Sequence, residues 1–146
     1  MKARLKVDQK SIDGLYNALL GLQTGVAVEM VAEMKELAHN IRSMSDDIIP
    51  VDTGTAQSTS YADDPDVKDY EVSVEIGYAR ADVDRVNPET GKMASDYVYE
   101  LHEDLGMPHT SGAAKFLETA LVAHIKQFME ASSRALSRAI TTTRGR

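Results

Sequence analysis

Two stretches of helical periodicity enclose a middle section that lacks it. In the first stretch, apolar residues recur at the three- and four-residue spacing of one α-helical face, at Ile12, Leu15, Leu19 and Leu22. Gly21 and the Thr24-Gly25 pair interrupt this face, and the same spacing resumes from residue 27 up to Pro50. Because proline disfavours helical geometry in the preceding residue, the pattern predicts a short helix and then a long amphipathic helix that ends before Pro50.

The middle section has features typical of strands. Residues 51–62 are small, polar and β-tolerant, which favours a strand with one solvated face. A turn is predicted at 63–66, and residues 70–78 then alternate apolar and polar side chains. Residues 79–95 show no sustained period, so we expect a long exposed loop that joins two strands. The segment 97–102 fits either that second strand or a short helix.

Helical spacing returns in the last third of the chain. After a connection at 106–112, apolar residues recur at this spacing from Ala113 to Ile140, which predicts a second long helix and then a flexible polar tail at about 141–146. The order of elements predicts an α+β fold in one domain, residues 1–146. In that fold an antiparallel β-sheet packs against long N-terminal and C-terminal amphipathic α-helices.

Composition narrows the class of protein. A chain of 146 residues, 42% of them hydrophobic, can bury a core without covalent cross-links. The absence of cysteine excludes disulfides, thiolate metal sites and a cysteine nucleophile. We find no apolar run that approaches the roughly 20 residues needed to span a bilayer, so we expect no membrane association.

The net charge of −7 is concentrated in the middle of the chain. Residues 46–104 carry sixteen acidic and four basic side chains, whereas residues 105–146 carry two acidic and six basic ones. The acidic surplus indicates a solvated surface, or a surface that faces the basic C-terminal helix of another subunit. The overall acidic balance argues against sequence-independent wrapping of nucleic acid, which depends on Lys and Arg.

Few residues have the spacing of a catalytic or ligand site. The fragment 90–93 resembles the end of a phosphate-binding loop, but Val86 stands where its first glycine is needed, and Met93 replaces the magnesium-binding hydroxyl. A metal-dependent hydrolase would draw on acidic and histidine residues of the middle segment: Asp63, Asp66, His102 and Glu103. Their spacing matches no standard zinc pattern. We therefore predict no enzyme activity and no catalytic, metal or cofactor site, with a small hydrolase and a regulatory or binding module as alternatives.

Three segments follow one another in an order that resembles a known family. They are Ile49-Pro50-Val51-Asp52-Thr53-Gly54-Thr55-Ala56-Gln57-Ser58, Tyr97-Val98-Tyr99-Glu100-Leu101-His102-Glu103, and Ala114-Lys115-Phe116-Leu117-Glu118-Thr119-Ala120-Leu121. Together they resemble the tailed-bacteriophage neck and tail-completion family, the "gene-product-ten-like" minor tail components of lambdoid phages. The similarity covers roughly residues 12–135, with Ala56 where the family usually has leucine and Gln57 where it often has arginine.

The first of these segments also has a physical explanation of its own. After Pro50, the side chains of Asp52 and Thr53 can hydrogen-bond nearby backbone amides, and Gly54 permits a positive φ. We therefore interpret these four residues as a structural turn that redirects the chain from helix to strand.

The resemblance implies a virion structural protein of the head-tail junction, acting as a neck or tail-completion component. It implies a homo-oligomeric ring, hexameric or dodecameric, that contacts connector or head-closure proteins and the tail tube or tail terminator. DNA would pass through the lumen without specific binding. The expected location is the virion neck or tail, and the host cytoplasm during assembly.

The loop at 79–95 is where we expect docking to a neighbouring subunit or ring, because it is long, polar and outside the core pattern. The residues predicted to make this contact are Asp82, Asp84, Arg85, Asn87, Glu89 and Lys92.

Overall fold

The computed structural model describes residues 9–69 and 71–144, which form four α-helices and four short strands. The elements are α1 (Gln9–Ile48), β1 (Ser60–Ala62), β2 (Asp66–Lys68), β3 (Glu71–Ser73), β4 (Ile76–Tyr78), α2 (Val98–Glu103), α3 (Phe116–Ala123) and α4 (Ile125–Arg144). Short 3₁₀ helices occupy Gln57–Thr59 and Ala94–Asp96. The predicted α+β class is confirmed, because small antiparallel sheets pack against long N-terminal and C-terminal helices.

α1 is a single helix of 40 residues, about 60 Å long, so the predicted interruption near Gly25 is wrong. The hydroxyl of Thr24 donates to the Leu20 carbonyl oxygen at 3.0 Å, which keeps this polar side chain bonded to its own helix. Gly25 lies against α4, where an added Cβ would come within 3.3 Å of the Cβ of Ala139. The glycine therefore permits close packing of two helices. α1 ends at Ile48, as Pro50 predicts.

α4 packs antiparallel to α1 through small side chains. Ala131, Ala135 and Ala139, at four-residue steps along α4, are all buried. Arg134 Nη2 lies 2.8 Å from Glu33 Oε2, Arg138 also binds Glu33, and Arg138 Nε lies 2.9 Å from Glu29 Oε2. These two arginines of the basic C-terminal segment are thus paired with carboxylates of the same chain.

The strands form two two-stranded antiparallel sheets where a single sheet is predicted. β1 pairs with β4, with Ala62 opposite Ile76, and β2 pairs with β3, with Asp66 opposite Ser73. Between the sheets, three residues (63–65) stand opposite two (74–75), so one strand carries an extra residue as in a β-bulge. The continuous strand predicted at 70–78 is therefore two strands, with Tyr70 outside the described residues.

Two further predictions in the middle section need correction. Of residues 51–62, only Ser60–Ala62 form a strand, because the preceding residues turn and enter the 3₁₀ helix. The segment 97–102 lies largely in α2, so the loop at 79–95 joins β4 to a helix and does not join two strands.

The second long helix is divided at His124. The backbone N–H of His124 donates to the Leu121 carbonyl oxygen. The ring Nδ1 of His124 lies 2.7 Å from the Ala120 carbonyl oxygen, so the imidazole contacts a backbone acceptor at the end of α3. α4 then runs to Arg144, which makes the predicted tail helical as far as that residue. The hydroxyl of Thr143 donates to the Ala139 carbonyl oxygen at 2.8 Å, and residues 141 and 142 make equivalent bonds.

By length and composition alone, one described helix is able to cross a membrane: Asp13–Ile48 of α1. This differs from the expectation that no apolar stretch is long enough. A mostly buried core helix of a globular protein can have the same length and apolar composition. In this helix, however, only 6% of the apolar window is buried. The N-terminal half of α1 is therefore an uncovered apolar surface.

Candidate functional site

The three segments that carry the family resemblance pack together. Ile49, Ala56 and Phe116 form one buried cluster, and each belongs to the first or the third segment. Side chains of the second segment, Tyr97 and Leu101 among them, pack against this cluster. The backbone N–H of Lys115 also donates to the His102 carbonyl oxygen at 2.7 Å. The motif residues therefore form a structural core, here called the motif core, that joins the end of α1 to α2 and α3.

The turn after Pro50 is held by backbone and hydroxyl contacts. Gly54 has a φ of +76°, and its carbonyl oxygen accepts the backbone N–H of Ser58 at 2.9 Å. The hydroxyls of Thr53 and Thr55 lie 2.8 Å apart. Thr53 Oγ1 also accepts the backbone N–H of Thr55 at 3.4 Å. Within the described residues no hydrogen bond involves the exposed carboxylate of Asp52, so only one of the two side chains predicted to bond a backbone amide does so. The turn leads into a 3₁₀ helix before it reaches β1.

A cleft of about 430 Å³ lies beside this turn. It is lined by residues 50–56 of the turn, by Asn87 and Lys92 of the loop, and by residues 107–111. The structural turn and the loop predicted for docking, which are far apart in sequence, therefore border one surface. The buried Nε2 of His109 lines the same cleft and has no hydrogen-bond partner among the described residues.

The loop at 79–95 is ordered by its own polar residues. Asn87 is buried; its side-chain oxygen accepts the backbone N–H of Glu89 at 2.9 Å, and Val86 and Met93 form an antiparallel bridge. Asp84 accepts hydrogen bonds from the side chain and the backbone of Ser95. The Ser95 hydroxyl bond is the main cause of the lowered pKa of Asp84. Asp84 and Asn87 thus shape the loop.

The other four residues predicted for docking are on the surface. Asp82 is engaged by Arg80, whose Nε lies 2.8 Å from Asp82 Oδ1, and Arg80 lowers the pKa of this carboxyl. Arg85, Glu89 and Lys92 are exposed. These three side chains are the part of the predicted set that is available to another molecule.

The residues of the alternative hydrolase do not form one site. Asp63 makes two hydrogen bonds to Arg80, at 2.5 and 2.9 Å, and Arg80 lowers its pKa. Glu103 lies 2.5 Å from Lys115 Nζ, the main cause of its lowered pKa, and 2.7 Å from His102 Nδ1. In the described part of the chain, no group of three or more His, Asp or Glu side chains is placed to hold a metal ion.

Sequence reasoning missed a polar network that joins the sheet to α1. The hydroxyl of Tyr78 lies 2.7 Å from the hydroxyl of Ser45 and donates to Asp46 Oδ1 at 2.9 Å, and burial raises the pKa of this tyrosine. Asp46 also accepts a hydrogen bond from the hydroxyl of Ser60, and the same hydroxyl accepts one from Arg42. The available signal was Ser45, a polar residue on the apolar face of the helix, which is fully buried here.

Sequence reasoning also missed an apolar groove of about 480 Å³ between α1 and α4, here called the α1–α4 groove. Its lining residues are Leu19, Leu22, Gln23, Val26, Ala27, Met30, Met34, Val72, Phe128 and Leu136. None of them is charged. Farther along α1, Leu37 and Ile41 continue the helical spacing of the groove floor into the core, where they pack with Ala120. The groove is therefore an uncovered continuation of the core.

Comparisons with known proteins give no match: no protein-family model, no curated protein and no solved structure matches this chain. The resemblance to the phage neck and tail-completion family consequently rests on the residues of the three motif segments.

Proposed function

We propose that this chain is a bacteriophage virion structural protein of the head-tail junction, a neck or tail-completion component. It assembles into a homo-oligomeric ring and joins connector or head-closure proteins to the tail tube or tail terminator. The protein catalyses no reaction. Its function lies in contacts between subunits and with neighbouring rings.

The observation that carries the proposal is the apolar surface that a single chain leaves uncovered. Large apolar side chains are more than two-fifths exposed on three helices: Leu15, Tyr16, Leu19 and Val28 on α1, Leu121 and Val122 on α3, and Ile125, Phe128, Met129 and Leu136 on α4. Large apolar side chains left exposed together mark binding surfaces in other proteins. A subunit of a ring needs such surface on its flanks.

The motif core supports the same proposal. Phe116 is buried between Tyr78 and the ring of His102, with edge-on contacts at 5.2 and 4.8 Å between ring centroids. His102 therefore packs in the motif core. In the alternative hydrolase it would instead be a catalytic or metal-binding group. The resembling segments serve to fix the relative positions of α1, α2 and α3, as a scaffold requires.

The acidic surplus of residues 46–104 is consistent with a channel through which DNA passes without being bound. Exposed carboxylates repel phosphates, so a lumen lined by them would not retain DNA. The proposal accordingly orients part of residues 46–104 towards the central channel of the ring.

Electron microscopy of particles made without this chain tests the proposal. We expect filled heads and finished tails to accumulate separately, because the ring that joins them is missing, and supplying the chain in trans should restore complete particles. Complete, infectious particles formed in its absence would contradict the proposed function.

A further inference from the structure

The cleft beside the turn, here called the turn–loop cleft, is formed where three segments meet. They are the turn at 50–56, the loop around Asn87 and Lys92, and the connection at 107–111. The volume of about 430 Å³ lies within the range of roughly 300–1,000 Å³ that is typical of ligand clefts. Apolar side chains, among them Leu101 and Met107, line the cleft together with polar ones. Its size and mixed lining are those of a binding site.

Asn87 presents unused donors to this cleft. The residue is only 7% exposed, and its Oδ1 accepts the backbone N–H of Glu89 at 2.9 Å and that of Thr90 at 3.3 Å. Because both partners are donors, the atom that they contact is the amide oxygen, and the NH₂ group lies on the other side of the amide plane. In the described part of the chain, this NH₂ group has no hydrogen-bond partner. A buried amide therefore keeps two N–H donors for an occupant of the cleft.

Lys92 places a positive charge beside this amide. The backbone N–H of Asn87 donates to the Lys92 carbonyl oxygen at 2.7 Å, so the two residues face each other across one tight turn, and both line the cleft. The Lys92 side chain is exposed, and it makes no ion pair with any residue that the structure describes. An ammonium group next to an amide NH₂ group is a donor set suited to a carboxylate.

His109 adds an unsatisfied group from the connection at 107–111. Its Nε2 is buried and has no hydrogen-bond partner among the described residues. A buried polar atom without a hydrogen bond costs free energy, so the empty cleft leaves a cost that a hydrogen-bonding ligand can remove. The χ2 torsion of histidine has broad minima, which lets the ring turn a nitrogen towards such a ligand.

Asp52 restricts the class of ligand. Its exposed carboxylate lines the same cleft, where it repels a free anion or a phosphate but can accept a hydrogen bond from a ligand N–H. A peptide segment with an acidic side chain meets both demands. It offers a carboxylate to Asn87 and Lys92, and backbone N–H groups to Asp52. The two signs of charge therefore favour a peptide over the phosphates of a nucleic acid.

We propose that the turn–loop cleft binds a short peptide segment of a partner protein, whose acidic side chain is held by Asn87 and Lys92. The inference deepens the proposed function and rests on it, because it names the place on the docking loop that receives a segment of the neighbouring ring. Leu101 and Met107 contact the apolar part of that segment. The turn and the loop are then two sides of one docking site.

Selection from a library of random heptapeptides, with the full chain as bait, tests the inference. We expect the selected peptides to be enriched in Asp or Glu. The dissociation constant of a selected peptide should rise roughly tenfold for Lys92→Gln, because the charged partner of its carboxylate is lost. Lys126→Gln is the matched control, since Lys126 is an exposed lysine of α4 outside the cleft, and it should bind like the wild type. Changing the acidic residue of the peptide to its amide should weaken binding to the wild type but not to Lys92→Gln.

Nuclear magnetic resonance locates the site. The chain has three asparagines, and Asn17 and Asn40 lie on α1, away from the cleft. A selected peptide should shift the side-chain NH₂ resonances of Asn87 and the ring resonances of His109, while those of the two α1 asparagines stay in place. Equal binding to the wild type and Lys92→Gln would overturn the inference, and so would shifts confined to another surface.

Three further outcomes separate the possible failures. If inorganic phosphate produces the same shifts at the same concentration as the peptide, the cleft is a general anion site and the inference is wrong. If no acidic peptide is selected, but heads and tails stay separate without the chain, the inference fails and the proposed function stands. If particles are complete without the chain, the proposed function fails, while the peptide measurements still decide what the cleft binds.

Discussion

Gly112 is the residue at which the connection before α3 passes closest to the end of α1. It has a φ of +75°, and the next residue, Ala113, donates its backbone N–H to the Ile48 carbonyl oxygen at 2.9 Å. A Cβ at Gly112 would collide with the Ile48 carbonyl oxygen and would come within 2.7 Å of that of Ile49. Two backbones therefore meet at this point, and only glycine fits.

We predict that Gly112→Ala lowers the free energy of unfolding by about 2–5 kcal/mol, from left-handed backbone strain combined with overpacking. Gly91→Ala is the matched control, since Gly91 has a φ of +71° and open space around it. Its cost should be about 1–2 kcal/mol from backbone strain alone. Urea denaturation of both variants measures the difference, and equal losses would contradict the close approach at Gly112.

The pairing of α1 with α4 depends on a carboxylate with two basic partners. The hydrogen bond from Arg134 is the largest cause of the lowered pKa of Glu33, and Arg138 adds to it. The unfolded chain therefore takes up this proton at a higher pH than the folded chain does. The stabilisation is fully present above the ordinary pKa of a glutamate, about 4.3, and is lost as the pH falls through the lowered value.

We predict that Glu33→Gln lowers the free energy of unfolding by about 1–2 kcal/mol near neutral pH, a value reduced by the solvent exposure of the two arginines. The difference from the wild type should shrink as the pH falls through the lowered pKa of Glu33, because the wild type then loses the same interaction. Urea denaturation at neutral pH and at a series of acid pH values measures it. Glu36→Gln, on the same helix, controls for the lost charge, and a difference that persists in acid would refute the assignment.

At the scale of elements, the sequence predicts helices better than strands. Periodicity identified both long helices, and Pro50 marked the end of α1. The interruption of α1 was mispredicted because Gly25 reads locally as a helix breaker, whereas its contact with Ala139 appears only after α4 has packed. The bulge between the two sheets was likewise hidden, since residues 70–78 alternate without a break and the extra residue lies on the partner strand.

At the scale of the molecule, the loop at 79–95 is the surface that we propose docks to a neighbouring ring. We predict that the triple substitution of Arg85, Glu89 and Lys92 by alanine leaves the protein folded but prevents heads from joining tails. Substitution is a better test than deletion, because Asp84 and Asn87 hold the loop in shape. Particle assembly followed by electron microscopy measures the effect.

The control for this prediction is a triple substitution with the same change in charge on the exposed side chains Lys126, Glu130 and Arg144 of α4. It should leave assembly unchanged. Complete particles formed with the loop variant would contradict the prediction that the loop makes the docking contact.

The candidate site was predictable in part. The turn at Pro50–Gly54 and the polar loop were visible in the sequence because their residue types have local preferences, for positive φ and for solvent. The α1–α4 groove was not visible, because the stripe that includes Leu19 and Leu22 predicts a helical face without showing which half of it the rest of the chain covers. Burial is a property of the packed molecule, and so is the surface that packing leaves open.

The unbroken α1 also has a mechanical consequence. A stiff rod about 60 Å long magnifies rotation: when the whole subunit tilts by about 5° about the motif core near Ile49, the far tip of α1 moves by about 5 Å. In the proposed ring, the N-terminal tip of each α1 would push on the next subunit. All subunits would then tilt together, and the aperture would widen or narrow in one concerted step.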